Sequence, residues 1–157
     1  MTEGETFMRR ALTLAEDNVQ SGRGGPFGSV IVRDGTIVGE GANQVTSLHD
    51  PTAHAEITAI RNACQTLHTF SLVGCEIYTN CEPCPMCLAA IYWARLDRVY
   101  YSNTRDDAAG IGFDDAFFYE ELDRPLTERR VPSERVKIVG ALDAFEAWLA
   151  KEDKIPY

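Results

Sequence analysis

The 157-residue chain reads as an α/β protein, a three-layer α/β/α sandwich around a central mixed five-stranded sheet. Three observations predict this. Helical and strand-like segments alternate in the order α-β-β-α-β-α-β-α-β-α, which calls for one sheet covered by helices on both faces. An Asp34-Gly35 pair between two β-branched runs marks a hairpin, and a hairpin makes the sheet mixed. Finally, 45% hydrophobic and 25% charged residues is an ordinary globular composition. A domain of this length buries about 68–70% of its unfolded surface, enough for one core without staples. One domain, residues 1–157, is the resulting organisation.

The elements follow in order. Thr6 to about Ser21 forms a helix, with Phe7, Ala11, Leu14, Ala15 and Val19 on one apolar stripe. Gly22, Gly24 and Gly25 end it, and Pro26 follows. Val30-Ile31-Val32 and Thr36-Ile37-Val38 are the two arms of the hairpin. After a polar connection from Asn43 to Pro51, a second helix starts near Asp50-Pro51-Thr52 and runs to about Ala63. Its inner face uses Ala55, Ile57, Ala59 and Ile60. Glu76 to Thr79 is a strand, Pro85 to Arg95 a helix, and Arg98 to Ser102 a strand. Phe113 to Leu122 is helical, Arg135 to Val139 is the fifth strand, and Ala141 to about Lys151 is a last amphipathic helix. There is no repeat, low-complexity tract or linker.

With 24 acidic and 15 basic side chains the net charge is -9. A partner held by its phosphates needs clustered Lys and Arg, so nucleic acid is disfavoured. No run of about 18 apolar residues exists to span a membrane, and Met1-Thr2-Glu3-Gly4-Glu5 is no signal peptide. The five cysteines are odd in number, and Cys81, Cys84 and Cys87 fall close together. Reduced thiols in the cytoplasm, some of them metal ligands, fit this better than a disulfide framework. Cys64 and Cys75 read as small core residues, and His49 and His68 lack companions.

The chemistry sits in His54-Ala55-Glu56 and, beginning thirty positions after His54, Cys84-Pro85-Met86-Cys87. Both segments open helices. A Cys-x-x-Cys pair at a helix start turns both sulfurs towards one point. One imidazole with two thiolates suits Zn2+. Two helix N-termini add positive dipole that favours thiolates. His54 and Glu56 are two apart, which on a regular helix sends them to opposite faces. His54 therefore belongs at the helix entrance, where the backbone need not be helical. Three ligands leave a fourth position for water, whose pKa a zinc ion lowers towards about 7. Glu56, not a ligand, is placed to take that proton. Two alternatives stay open: Cys81 closing a structural site as fourth ligand, or simple burial of His54 and the cysteines.

Asp50-Pro51-Thr52-Ala53-His54-Ala55-Glu56 and Cys81-Glu82-Pro83-Cys84-Pro85-Met86-Cys87 resemble the cytidine-deaminase-like superfamily of zinc deaminases. Within it they are similar to the branch of bacterial guanine deaminases and tRNA adenosine deaminases. Gly24-Gly25-Pro26-Phe27-Gly28, Ala90 to Arg95, Gly112-Phe113-Asp114-Asp115 and Tyr157 look like the small bacterial guanine deaminases. The acidic charge also suits a free purine base better than a tRNA. The resemblance implies the five-stranded fold and hydrolysis of guanine to xanthine and ammonia, with Glu56 shuttling protons. Asn43 would read the purine with its amide, and Asp115 would accept from guanine N–H groups, Asp114 being able to exchange roles with it. Phe27 and Trp93 are candidate stacking surfaces, and Ala55 joins the candidate substrate contacts. The resemblance further implies a homodimer in which the segment from about 140 to 157, with Tyr157, lies over the pocket and is sometimes exchanged between subunits. Rival readings are deamination of tRNA adenosine, cytosine or another aminated azine, and a non-catalytic zinc-binding domain.

Overall fold

The computed structural model describes residues 2–157. The chain opens with α1 (Glu3–Gln20), whose N-terminus carries a capping box between Thr2 and Glu5. Next come β1 (Gly28–Arg33) and β2 (Thr36–Ala42), joined by Asp34 and Gly35 at φ 48° and 72°. Both central residues at positive φ give the turn whose twist matches that of the strands. After the one-turn α2 (Val45–Leu48) come α3 (Ala55–Leu67), β3 (Cys75–Cys81), α4 (Pro85–Trp93) and β4 (Arg98–Asn103). The order closes with α5 (Arg105–Gly110), α6 (Ala116–Asp123), a 3₁₀ turn at Leu126–Glu128, and α7 (Asp143–Ala150).

The sheet runs β2-β1-β3-β4. β1 is antiparallel to both neighbours, and β3 is parallel to β4, so the sheet is mixed. Side-chain alternation along β1 divides the core into its two layers. Val30 and Val32 face Phe7 of α1 and Tyr78, whereas Ile31 faces Ala59 and Ala63 of α3 and Ile91 of α4. The layer between β2 and α3 is thin because Gly41 lets backbone meet backbone. A Cβ there would lie 2.3 Å from the carbonyl oxygen of Ala55. This close seat fixes the start of α3, and with it the position of His54.

Beyond the short helix α2 and the later start of α6 at Ala116, the structure departs from the sequence reading in four places. Among the described residues the sheet has four strands, not five. Arg135 to Val139 has strand chemistry but no strand beside it, and Val136, Ile138 and Val139 are exposed. A strand exists only when paired, and here the segment never returns to the edge of β4. Second, α3 begins at Ala55 rather than near Asp50. The Asp50 carboxylate accepts from the Thr52 N–H and hydroxyl at 2.8 and 2.7 Å, which closes a local turn instead of capping the helix. Third, Asn18 rather than Val19 continues the buried stripe of α1, as positions 7, 11, 15 and 18 demand at 3.6 residues per turn. Fourth, Arg105–Gly110 is an additional helix, capped by Thr104 and Asp107.

Candidate active site

The N-termini of α3 and α4 converge at the end of the sheet where β2 and β3 finish. His54 is the N-cap of α3, with extended backbone at φ −68° and ψ 160°. That is the entrance position at which His54 and Glu56 turn to a common side. Cys84 is the N-cap of α4 at φ −67° and ψ 167°, and Pro85 takes the first helical position, where no N–H is needed. One turn later Cys87 points back to the same spot. His54 Nδ1 lies 3.6 Å from Cys84 Sγ and 3.5 Å from Cys87 Sγ.

These separations test the fit of a metal. Tetrahedral zinc with nitrogen at about 2.1 Å and sulfur at about 2.3 Å sets N and S about 3.6 Å apart. Among the described residues His54, Cys84 and Cys87 form the group whose ligand atoms meet in this way. Cys81 stands outside the group; its thiol donates to the carbonyl oxygen of Thr104 at 3.7 Å. The donor set is thus one imidazole and two sulfurs, which fits zinc with three protein ligands.

Charge distribution follows from burial and proximity. The Cys84 thiol is pulled down to about 4, first by the hydrogen bond from Cys87 and then by His54, against the opposing pull of burial. Cys87 moves up because it is the donor to Cys84 and is buried. His54 moves up, chiefly through its hydrogen bond to Cys84. Glu56, 7% exposed, has its carboxyl pushed up to about 7, mainly by burial. The Asp115 carboxyl also rises, again mainly by burial, with Cys84 adding to it.

A cavity of about 480 Å³ opens over the triad. Phe27, Asn43, His54, Glu56, Phe113 and Asp115 line it. Phe27 meets the edge of Phe113 at 4.9 Å and 88°. Asn80, 6% exposed, secures Phe27 from both sides, donating to Pro26 O and accepting from Gly28 N at 2.9 Å each. Of the two adjacent aspartates, Asp115 lines the cavity, while Asp114 accepts from the Ala116 N–H at the start of α6.

Three candidate substrate contacts lie elsewhere. Ala55 is fully buried beneath β2 and presents no surface to the cavity. Trp93 is at the far end of α4, 62% exposed, because nine helical residues carry it away from the metal end. Tyr157 meets Trp93 there, ring centroids 6.0 Å apart, rather than covering the cavity of its own chain. Two supports escaped the sequence reading. Arg105 grips Glu82 through two nitrogens at 2.6 and 3.1 Å and lies 4.2 Å over the Tyr119 ring, while the Tyr119 hydroxyl donates to Pro83 O. They fasten the loop carrying Cys84 to α5 and α6. Arg105 has no motif around it.

Residues 1–103 match the family described as the cytidine and deoxycytidylate deaminase zinc-binding region. The chain is 54% identical over 153 residues to the guanine deaminase of Bacillus subtilis (strain 168), covering 98% of each. The X-ray structure of guanine deaminase from Bacillus subtilis superposes with a TM-score of 0.95 over 98% of both chains, at 54% identity. The tRNA-specific adenosine deaminase of Aquifex aeolicus (strain VF5) is 35% identical over 94% of each chain. A protein solved in complex with 2,6-diaminopurine gives a TM-score of 0.69 at 33% identity, covering 71% of this chain and 62% of that one.

Proposed function

Because the chain belongs to the cytidine and deoxycytidylate deaminase zinc-binding family, we propose that it hydrolyses guanine to xanthine and ammonia. The observation that carries this reading is the pairing of a three-ligand zinc site with a buried acid that is not a ligand, Glu56, at the floor of a cavity lined by an amide and a carboxylate. The likeness to the Bacillus subtilis guanine deaminase over nearly the whole of both chains supports the choice of substrate. The net charge of -9 supports a planar free base over a polyanion.

His54, Cys84 and Cys87 would hold the zinc, which when bound supplies the Lewis acidity that makes water nucleophilic near neutral pH. Glu56 takes a proton from the attacking water and delivers it to the ring nitrogen beside carbon 2 of guanine. It then takes the second proton from the hydroxyl now on carbon 2 and delivers it to the exocyclic amine as that leaves. One C–O bond forms and one C–N bond breaks, so guanine and water become xanthine and ammonia. Asn43 donates to a purine acceptor, Asp115 accepts from the purine N–H groups, and Phe27 covers one ring face.

The reading extends to the subunit. The segment from about 140 to 157 is exposed along its whole length, with Phe145, Trp148, Leu149 and Tyr157 presenting apolar surface. We propose that in a homodimer this segment docks on the partner, bringing Tyr157 to the partner's cavity rather than its own, with Trp93 of α4 beside it at the interface. The five free cysteines suit a cytoplasmic setting, and no helix among the described residues is long and apolar enough to cross a membrane.

Ammonia release from guanine, adenine, cytosine and tRNA by the zinc-loaded protein tests the substrate. Release from guanine alone is expected; inosine in tRNA without turnover of guanine would sink the reading, and silence on every substrate would point to a non-catalytic zinc domain. For the exchange, inactive Glu56→Ala and impaired Tyr157→Ala chains are unfolded together and refolded as mixed dimers. Exchange predicts recovered activity, because one site then has both an intact Glu56 and an intact Tyr157. No recovery from verified mixed dimers would rule it out.

A further inference from the structure

Building on guanine as substrate, we propose that Asn18 is a positioning residue that sets Asn43 for the purine. Asn18 lies in the last turn of α1, 2% exposed, outside the motifs that carry the metal ligands and Glu56. A buried amide is stable only with its hydrogen bonds made. Both hydrogens of its Nδ2 are used, one on Gly25 O and one on Asn43 O, each at 2.8 Å. Its main-chain carbonyl accepts from Arg23 N at 3.2 Å. One side chain therefore joins the end of α1, the glycine turn and the loop after β2.

The effect falls on Asn43. Its carbonyl is held by Asn18, and its N–H donates to Phe27 O at 3.0 Å. In that seat its Oδ1 accepts from Val45 N at 3.3 Å and Gly25 N at 3.4 Å. An amide whose oxygen is engaged by backbone presents its NH₂ group, so the hydrogen-bond network assigns Asn43 as a donor to the cavity. Gly24 is an independent sign that this contact is built. A Cβ there would lie 2.1 Å from Asn43 O and 3.0 Å from Asn18 Nδ2. The turn packs against Asn43 backbone to backbone, with no room for a side chain.

Asn18 touches neither the metal ligands nor Glu56 by any hydrogen bond. Its loss should therefore weaken purine binding and spare the chemistry. The test is a double-mutant cycle of Asn18→Ala and Asn43→Ala on the zinc-loaded full chain, with guanine as substrate. Asn18→Ala is expected to raise KM about tenfold, to lower kcat less than about threefold, and to keep its zinc. In the Asn43→Ala background the same change should add less than about threefold, because the residue it acts through is gone. An unchanged KM, or a tenfold penalty that persists in full without Asn43, overturns the role. A merely structural Asn18 would lower the melting temperature and active fraction and leave KM alone. If Asn18→Ala does not fold, Gly24→Ala disturbs the same contact from the other side and must raise KM selectively; failure to do so also overturns it. Wild-type turnover measured alongside separates the two readings: its absence overturns both, whereas normal turnover with unaltered KM in the variants overturns only the role of Asn18.

Discussion

Residues 2–103 and residues 124–157 carry apolar side chains in similar patterns and bury them in opposite measure. In the first region Ile31, Leu72 and Ile77 are fully enclosed between sheet and helices. In the second, every residue from Arg130 onward is exposed, including Val136, Ile138, Phe145 and Leu149. Amphipathic patterning states that a face wants a neighbour; it does not say that the neighbour is in the same chain. The metal residues all fall in the first region, and the cavity is completed by Phe113 and Asp115 from the stretch between the two. The metal ligands and Glu56 thus rest on an enclosed core, whereas the arm buries almost nothing against it.

The sharpest way to break this division is at Glu56. If the self-contained region performs the chemistry, Glu56→Ala lowers kcat by about a thousandfold while zinc content, read by atomic absorption, is unchanged. Retained turnover would remove the proton-transfer role. Next in size is a pair of core and arm truncations. Ile77→Ala is expected to cost about 2–5 kcal/mol in urea unfolding, as a cavity in a closed core should. Ile138→Ala on the isolated monomer is expected to stay within about 0.5 kcal/mol, because the side chain is already in water. A large loss at Ile138 in dilute monomer would show that the arm packs on its own chain.

The same division explains what was legible beforehand. The triad was readable because its ligands are local: His54-x-Glu56 and Cys84-x-x-Cys87 each sit on one helix start, and helix starts are written in short sequence. The spacing even placed His54 outside the regular helix. The hairpin was readable because two residues set its turn. By contrast, no fifth strand forms at Arg135–Val139 among the described residues, because a β-branched composition does not supply the pairing that a strand needs. Trp93 is a candidate for its ring and Tyr157 through the resemblance, yet the length of α4 puts Trp93 far from the cavity of its own chain, and Tyr157 packs beside it. Asn18 and Arg105 act through contacts to residues 25 and 23 positions away in sequence, and no local pattern announces such contacts.

A third measurement sharpens the boundary between the regions. Asp115 precedes α6, in the stretch between core and arm, and lines the cavity without a ligand atom in the metal group. Asp115→Ala is expected to lower kcat/KM for guanine about tenfold to a hundredfold with full zinc retention. Equal loss of zinc and activity would instead make Asp115 a structural part of the metal loop.

The smallest expected effect concerns ion pairs. In the core, Arg10 of α1 grips Glu40 of β2 through two hydrogen bonds of 2.7 Å, joining residues 30 apart. In the arm, Lys151 pairs with Asp153 within one short segment. Arg10 holds the Glu40 carboxyl below its ordinary 4.5, with partial burial opposing. A carboxyl whose pKa is lower folded than unfolded binds fewer protons in the folded state. Its stabilisation is therefore complete above the unfolded value and is lost as the pH falls through the folded one. Both side chains are more than a third exposed, so screening reduces the worth of the pair to about 0.5–1 kcal/mol. Urea unfolding of the wild type against Glu40→Gln should show that difference at pH 7 and its progressive loss on acidification. Asp153→Asn should change stability at neither neutral nor acidic pH, since its pair links nothing that folding brings together. A difference for Glu40→Gln that grows on acidification would reverse the sign of the linkage and remove the pair from the account of the core.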